Sequence, residues 1–307
     1  MTFVPYGIIP PIITPFKEDG SVNLEVLHDL SRHLVEDGVH GLFPFGTSGE
    51  FYAVNEDEYV AVLKTVKDAV KDMTNSLGKK VELFAGCSHI TTRQVIRYIH
   101  LVEEIGGYDA VSVLTPFFVS QTDDELYAFY KTIADSTDMP IILYNNPGKT
   151  NVHIKPAVVA KLAHDCENIV AIKDSTGDMT NTEEYLRLTA DIRDRFNVLM
   201  GKDTLIFGAL MYGATGAIAT TSNVAPKLVS SIYDLYVAKD YEGALKAQFE
   251  LAPLRIACNK GTFPETIKEA LIMEGYPVGK CMDPIQEATP AQKEELHEIL
   301  VTMGLVK

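Results

Sequence analysis

Short apolar runs rich in β-branched residues alternate with amphipathic stretches over most of the chain. The runs are GIIPPIIT (7–14), GLFPFG (41–46), VELFAG (81–86), AVSVLT (110–115), PIILYN (140–145), NIVAIKD (168–174), NVLMG (197–201) and GAIAT (216–220). Runs of this kind predict strands buried on both faces. The segments between them predict helices over 23–37, 55–73, 91–105, 122–135, 155–163, 180–193 and 203–211. In the first of these, Asn23 supplies N-cap chemistry, and Leu24, Leu27, Leu30, Leu34 and Val35 recur at helical spacing. Runs four to seven end at residues 115, 145, 174 and 201, a near-constant interval of one strand plus one helix. The series predicts an α/β fold, a closed parallel (βα)8 TIM barrel. No glycine-rich dinucleotide fingerprint follows the first strand, which disfavours an open doubly wound sheet.

After Pro226 the alternation stops. Helical patterns cover 227–238, 240–259, 264–274 and 291–303, with no strand pattern between them. The expected organisation is a barrel over residues 1–224 and a helical C-terminal extension over 225–307. No low-complexity linker separates the two, so the extension is expected to pack on the barrel. Thr204–Pro226 carries no charge, but Gly208, Gly213, Gly216 and the TTSN cluster divide it into a short buried helix and a strand rather than a membrane span.

Composition narrows the function. With 307 residues, length alone suggests two domains, although one barrel plus an extension uses the same length. Hydrophobic residues make 46% and charged residues 22%, which excludes disordered, collagenous and disulfide-scaffold classes. The 42 acidic residues against 27 Lys plus Arg give a net charge of −15, which argues against a nucleic-acid or anionic-membrane partner. A small anionic substrate stays open, because it senses the local field of a cleft. Cys87, Cys166, Cys258 and Cys281 are far apart and form no CxxC pair, so they read as reduced thiols of a cytoplasmic protein. MTFVPYGIIPPIITPF lacks a basic leader region and is broken by four prolines, so a signal peptide is not expected.

In a barrel of this kind, chemistry sits at the C-terminal ends of the strands and in the loops that follow. Lys173 ends the run NIVAI. Such a lysine can snorkel to water or pair with Asp174. Alternatively, burial can favour the free amine, which attacks a carbonyl to form an imine, an electron sink for making or breaking a carbon–carbon bond. Tyr144 ends the preceding run and is expected beside Lys173 at the same rim, either as packing or as a phenol that moves protons. The Asn145-Asn146-Pro147-Gly148 stretch reads as turn chemistry alone. GTSGE (46–50) follows the second run; it reads as a capped turn, or as a carboxylate cradle built from backbone N–H groups and the hydroxyls of Thr47 and Ser48. The eight histidines show no HExxH spacing and read as surface or helix-packing residues; Asp174 and His89 alone do not make a metal site.

GTSGE, YNNPGKT and IKDSTGD, in this order, resemble the dihydrodipicolinate synthase / N-acetylneuraminate lyase superfamily. The likeness extends to GKDTLIFGALMYGATGAIATTSNVAP and so covers nearly the whole chain. It implies a pyruvate-dependent class I aldolase on a (βα)8 barrel with a helical extension, acting without cofactor or metal. Carried over, Lys173 is the Schiff-base lysine and Tyr144 the proton-relaying phenol. Thr47 and Ser48 hold the pyruvate carboxylate and the relay, and Gly201 and Ile218 line the site through backbone atoms. The resemblance also implies a homo-oligomer, a tetramer. Two positions depart from the synthase branch. Lys149 stands where that branch has an arginine, and Phe118 where it has a tyrosine that reaches the neighbouring subunit. Lysine keeps the charge but not the bidentate geometry, and phenylalanine relays no proton. These departures favour a lyase or aldolase acting on a 2-oxo-3-deoxy sugar acid, with Lys149 meeting a distal hydroxyl or carboxylate. The alternatives are dihydrodipicolinate synthase, which joins pyruvate to the aldehyde aspartate semialdehyde; a dehydratase; and a catalytically silent barrel that binds a 2-oxo acid.

Overall fold

In the computed structural model, which describes residues 3–307, the apolar runs become eight strands. They are β1 (Gly7–Ile8), β2 (Gly41–Leu42), β3 (Glu82–Gly86), β4 (Ala110–Leu114), β5 (Ile141–Asn145), β6 (Ile169–Asp174), β7 (Asn197–Met200) and β8 (Gly216–Ala217). One sheet joins them in the order β1-β8-β7-β6-β5-β4-β3-β2, a (βα)8 barrel. The helices between them are α1 (Leu24–Glu36), α2 (Glu56–Val70), α3 (Thr92–Ile105), α4 (Asp123–Ala134), α5 (Pro147–Thr150), α6 (Pro156–Asp165), α7 (Met179–Leu188) and α8 (Ile206–Tyr212). Four more follow the last strand: α9 (Pro226–Val237), α10 (Tyr241–Ala257), α11 (Glu265–Met273) and α12 (Pro290–Thr302). The uncharged stretch divides as the glycines predict, into α8, β8 and a 3-10 turn over Thr220–Asn223. Among the described residues, no helix is long and apolar enough to cross a membrane.

The first two runs are far longer than the strands they yield. Pro10, Pro11 and Pro44 have no backbone N–H, so a regular ladder cannot pass through them. Pairing goes on irregularly instead: Ile12 N–H donates to the Phe43 carbonyl (3.1 Å), and Phe43 N–H to the Pro10 carbonyl (3.0 Å). The short α5 was not foreseen, because it lies inside a stretch that reads as a turn.

The chain forms two compact units. One comprises the N-terminal residues through Gly7 and Glu82–Ile218; the other comprises Ile8–Val81 and Ala219–Lys307. In the first, β3 to β8 pair in parallel, and the register aligns Leu114, Tyr144, Lys173 and Leu199 across four neighbouring strands. Partnered residues face the same side of a sheet, and their chain neighbours face the other. The next row, Asn145, Asp174 and Met200, therefore turns toward the helices. Its contacts agree. The Asn145 amide donates to the Tyr185 hydroxyl (2.8 Å), and the Thr182 hydroxyl donates to Asp174 (2.7 Å); both partners are on α7.

In the second unit, α1 buries Leu27, Leu30, Leu34 and Val35, each worth about 1.5–3 kcal/mol of transfer energy. Asn23 caps this helix, and Asn55 with Glu58 closes a capping box on α2. Helices α9 to α12 belong to this same unit. Buried Asn223 ties its two chain segments together. The side-chain oxygen accepts from Ile13 N–H (3.2 Å), and the amide donates to the carbonyls of Pro11 (3.1 Å) and Thr220 (3.0 Å). The side chain thus serves backbone groups that the proline-broken strand leaves unpaired.

Candidate active site

The first compact unit carries Lys173, Tyr144, Lys149, Gly201 and Ile218. Lys173 and Tyr144 are register partners on β6 and β5, at 3% and 4% exposure. Lys173 Nζ lies 4.0 Å from the centre of the Tyr144 ring, over its negative face. A long cationic side chain has thus been drawn into an apolar strand end and held beside a phenol. The Asp174 carboxylate is engaged by Thr176 and Thr182. One Asp174 oxygen accepts from Thr176 N–H (3.0 Å) and the Thr176 hydroxyl (2.7 Å), and the other from Thr182. Asp174 therefore fastens the loop after β6, while Lys173 turns the other way.

The Tyr144 hydroxyl oxygen accepts from the Asn146 side-chain amide (3.1 Å). A phenol that accepts a hydrogen bond keeps its own proton to give elsewhere, and its oxygen is steadied when the proton leaves. Sequence reasoning passed Asn146 over as turn chemistry. It does precede α5 as that helix's N-cap residue, but its side chain is spent on Tyr144 instead of a backbone N–H.

The ladder continues past the strand ends and fixes the loops. Thr115 N–H donates to the Tyr144 carbonyl (3.2 Å), Ser175 N–H to the Asn145 carbonyl (2.9 Å) and Gly201 N–H to the Asp174 carbonyl (2.7 Å). Gly201 has to be glycine, since a Cβ there would lie 2.9 Å from the Asp174 carbonyl oxygen and collide with Ser175. Ile218 is buried, with its N–H on the Met200 carbonyl (2.8 Å). Lys149 is exposed on α5. Phe118 is 94% exposed with a φ of 75°, so it packs against nothing substantial within its own chain.

The second compact unit carries Thr47 and Ser48, in a 3-10 turn over Thr47–Gly49. Ser48 is buried, with its hydroxyl 3.2 Å from that of Thr220. A Cβ on Gly46 would lie 2.9 Å from the Phe43 ring, so the turn is pressed onto its own strand. Thr220 is a second hydroxyl in this turn environment that sequence reasoning missed. Its only signal was the TTSN cluster. Among the described residues, no group of three or more His, Cys, Asp or Glu is placed to hold a metal ion.

With this geometry in place, comparison with known proteins decides the family. The Dihydrodipicolinate synthetase family profile matches residues 4–303. The chain belongs to the dihydrodipicolinate synthetase family. It is accordingly an enzyme of the class I, Schiff-base-forming aldolase type. Its relatives in that family include the 4-hydroxy-tetrahydrodipicolinate synthase of Thermodesulfovibrio yellowstonii, 35% identical over 98% of this chain and 99% of that one. Among solved structures, the dihydrodipicolinate synthase from Thermotoga maritima superposes with a TM-score of 0.93 at 31% identity, covering 99% of this chain and 100% of that one. A prophage protein of the family from E. coli K12, solved in complex with pyruvate, superposes with a TM-score of 0.90 at 27% identity, covering 98% and 99%.

Proposed function

We propose that this enzyme forms an imine between Lys173 and the carbonyl carbon of pyruvate, and uses it to join pyruvate to an aldehyde. The observation that carries the reading is Lys173 Nζ over the Tyr144 ring at adjacent strand ends, in a chain of this family. The amine attacks the ketone carbon, and the carbinolamine loses water to give the protonated imine. Loss of a proton from the methyl group gives an enamine, whose carbon attacks the aldehyde. Hydrolysis of the product imine restores the lysine. Tyr144 moves the protons of the carbinolamine step, with Asn146 steadying its oxygen. Thr47 and Ser48 take the pyruvate carboxylate, and Thr47 extends the relay. Gly201 and Ile218 line the site with backbone atoms.

The aldehyde is proposed to be aspartate semialdehyde. Relatives named 4-hydroxy-tetrahydrodipicolinate synthase, at 35% and 33% identity over nearly the whole chain, move the balance toward the synthase and away from the sugar-acid lyase. Lys149 then meets the aldehyde's carboxylate as a single point charge. A second reading, cleavage of a 2-oxo-3-deoxy sugar acid, keeps one observation in its favour: Lys149 and Phe118 replace the arginine and tyrosine of the synthase branch. The fully exposed Phe118 also suits a position that meets another subunit, and the proposed assembly is a homo-oligomer, a tetramer by resemblance, working in the cytoplasm.

The test is direct. Incubation with pyruvate followed by borohydride should add mass to the peptide that contains Lys173, with or without EDTA. Lys173→Ala should lose both the adduct and turnover. Absence of the adduct from the wild-type peptide refutes the mechanism. A panel of aspartate semialdehyde and 2-oxo-3-deoxy sugar acids then separates the two substrate readings.

A further inference from the structure

The turn that carries Thr47 and Ser48 ends at Glu50, a residue the proposed chemistry does not use. Glu50 has a φ of 49°, left-handed backbone that a non-glycine residue adopts only when its surroundings hold it there. Its N–H donates to the Thr47 carbonyl (3.3 Å), so this backbone closes the turn. Its side chain is fully buried, and everything that satisfies it comes from the C-terminal part of the chain. One carboxylate oxygen lies 2.6 Å from Lys268 Nζ on α11, and the other accepts from Met282 N–H (2.9 Å). Lys268 is itself buried. Its ammonium donates to the Lys280 carbonyl (3.0 Å) and lies 4.4 Å from the centre of the Phe16 ring. Cys281 sits in the same place, and burial together with the Glu50 charge raises its thiol to about 12, so it adds no competing thiolate.

We infer that Lys268 is a positioning residue for the proposed pyruvate-carboxylate cradle, acting through its buried pair with Glu50 to fix the Thr47–Ser48 turn. The inference rests on the function proposed above. A buried ion pair is a poor device for stability, because desolvation offsets much of the attraction, but it tolerates the loss of either partner badly. Without the ammonium, the Glu50 carboxylate must take up a proton or swing toward water. A swing rotates the residue whose backbone closes the turn. Thr14, whose hydroxyl donates to the Gly49 carbonyl (2.7 Å), and Thr220 hold the turn only by neutral bonds. The charged anchor is the one from α11.

The experiment compares two probes of the Lys173 amine by borohydride trapping, both read on the Lys173 peptide. Pyruvate carries the carboxylate that the cradle is proposed to hold; acetaldehyde does not. Lys268→Met and Glu50→Gln should raise the pyruvate concentration for half-maximal trapping by about tenfold, a loss of ground-state binding, while acetaldehyde trapping stays at the wild-type level. Glu50→Gln retains an acceptor for Met282 N–H and serves if Lys268→Met does not fold. Lys268→Arg keeps the charge and should keep the pyruvate response close to wild type. Folded variants that respond to pyruvate like the wild type, or that lose both probes equally, overturn the inference. Thr47→Val and Ser48→Ala are measured alongside. If these leave the pyruvate response unchanged, the cradle itself is refuted. If they weaken it while the Lys268 and Glu50 variants do not, only the role of the pair falls.

Discussion

At the scale of single residues, the neighbourhood of Lys173 is set by side chains that alternate between the two faces of a strand. Tyr144 and Lys173 go one way, and Asn145 and Asp174 go the other to α7. Tyr144→Phe should therefore leave the lysine in place and slow imine formation without abolishing it, measured as a reduced rate of borohydride trapping at saturating pyruvate. Asn146→Ala, which leaves the phenol its proton but removes the donor to its oxygen, should slow turnover less than Tyr144→Phe does. Gly201→Ala forces the ends of β6 and β7 apart at Asp174 and Ser175. It should lower kcat at least tenfold, on the order of 1.4 kcal/mol in the barrier, with the helical circular-dichroism signal retained. Lys173 and Tyr144 were legible in the sequence because each closes an apolar run, which is where a polar residue stands out. Asn146 was not, because an Asn-Pro-Gly turn already accounts for every residue in it. Thr220 and the Glu50–Lys268 pair were not legible either, since their partners lie 172 and 218 residues away and local pattern carries no such information.

At the scale of elements, helix boundaries were the easiest part to predict. Caps and apolar periodicity both act within a few residues, and Asn23, Asn55 and Thr122 cap where their sequences say they should. Strand lengths at the start of the chain were harder, because prolines inside GIIPPIIT and GLFPFG convert apolar runs into irregular pairing that no alternation rule describes. The compensation for those prolines is itself testable. Asn223→Ala strips partners from Ile13 N–H and from two carbonyls in a buried place, at about 1–3 kcal/mol for each group left unsatisfied. Asn55→Ala removes an exposed cap, at about 1 kcal/mol. The midpoint of urea unfolding should therefore fall markedly further for Asn223→Ala than for Asn55→Ala. Equal shifts would refute the bridging role of Asn223.

At the scale of the molecule, acidic residues outnumber basic ones by 42 to 27, and most of that excess faces water. Glu50 and Asp174 are among the carboxylates that do not, and Glu274 is half-buried. Glu274, at the end of α11, is pushed up to about 8 by burial and then by the neighbouring Asp37. The unfolded chain releases this proton near 4.5 and the folded protein holds it to about 8, so the folded state binds more protons between those values. Its contribution to stability is present below pH 4.5 and is lost as pH rises through that window. Glu274→Gln should raise Tm at pH 8 and leave Tm at pH 4.5 unchanged, as measured by thermal unfolding at the two pH values. A Tm that responds equally at both values would show that Glu274 titrates like an ordinary surface acid.

The division of the chain has a temporal side. Residues 82–218 complete one compact unit with only a few residues from the N-terminus, so most of that unit is contiguous in the order of synthesis. Residues 8–81 are made before that stretch, yet Asn223, Lys268 and Met282 are among the groups that finish their unit. Residues 8–81 must wait for Asn223 to pair the Pro11 carbonyl and for Lys268 and Met282 to compensate Glu50. Long-range closure of this kind is slow and leaves apolar runs open to wrong partners. A nascent chain arrested before residue 268 should therefore hold its middle in protease-resistant form while its beginning is still cut. Completion of the last helices would turn both resistant together.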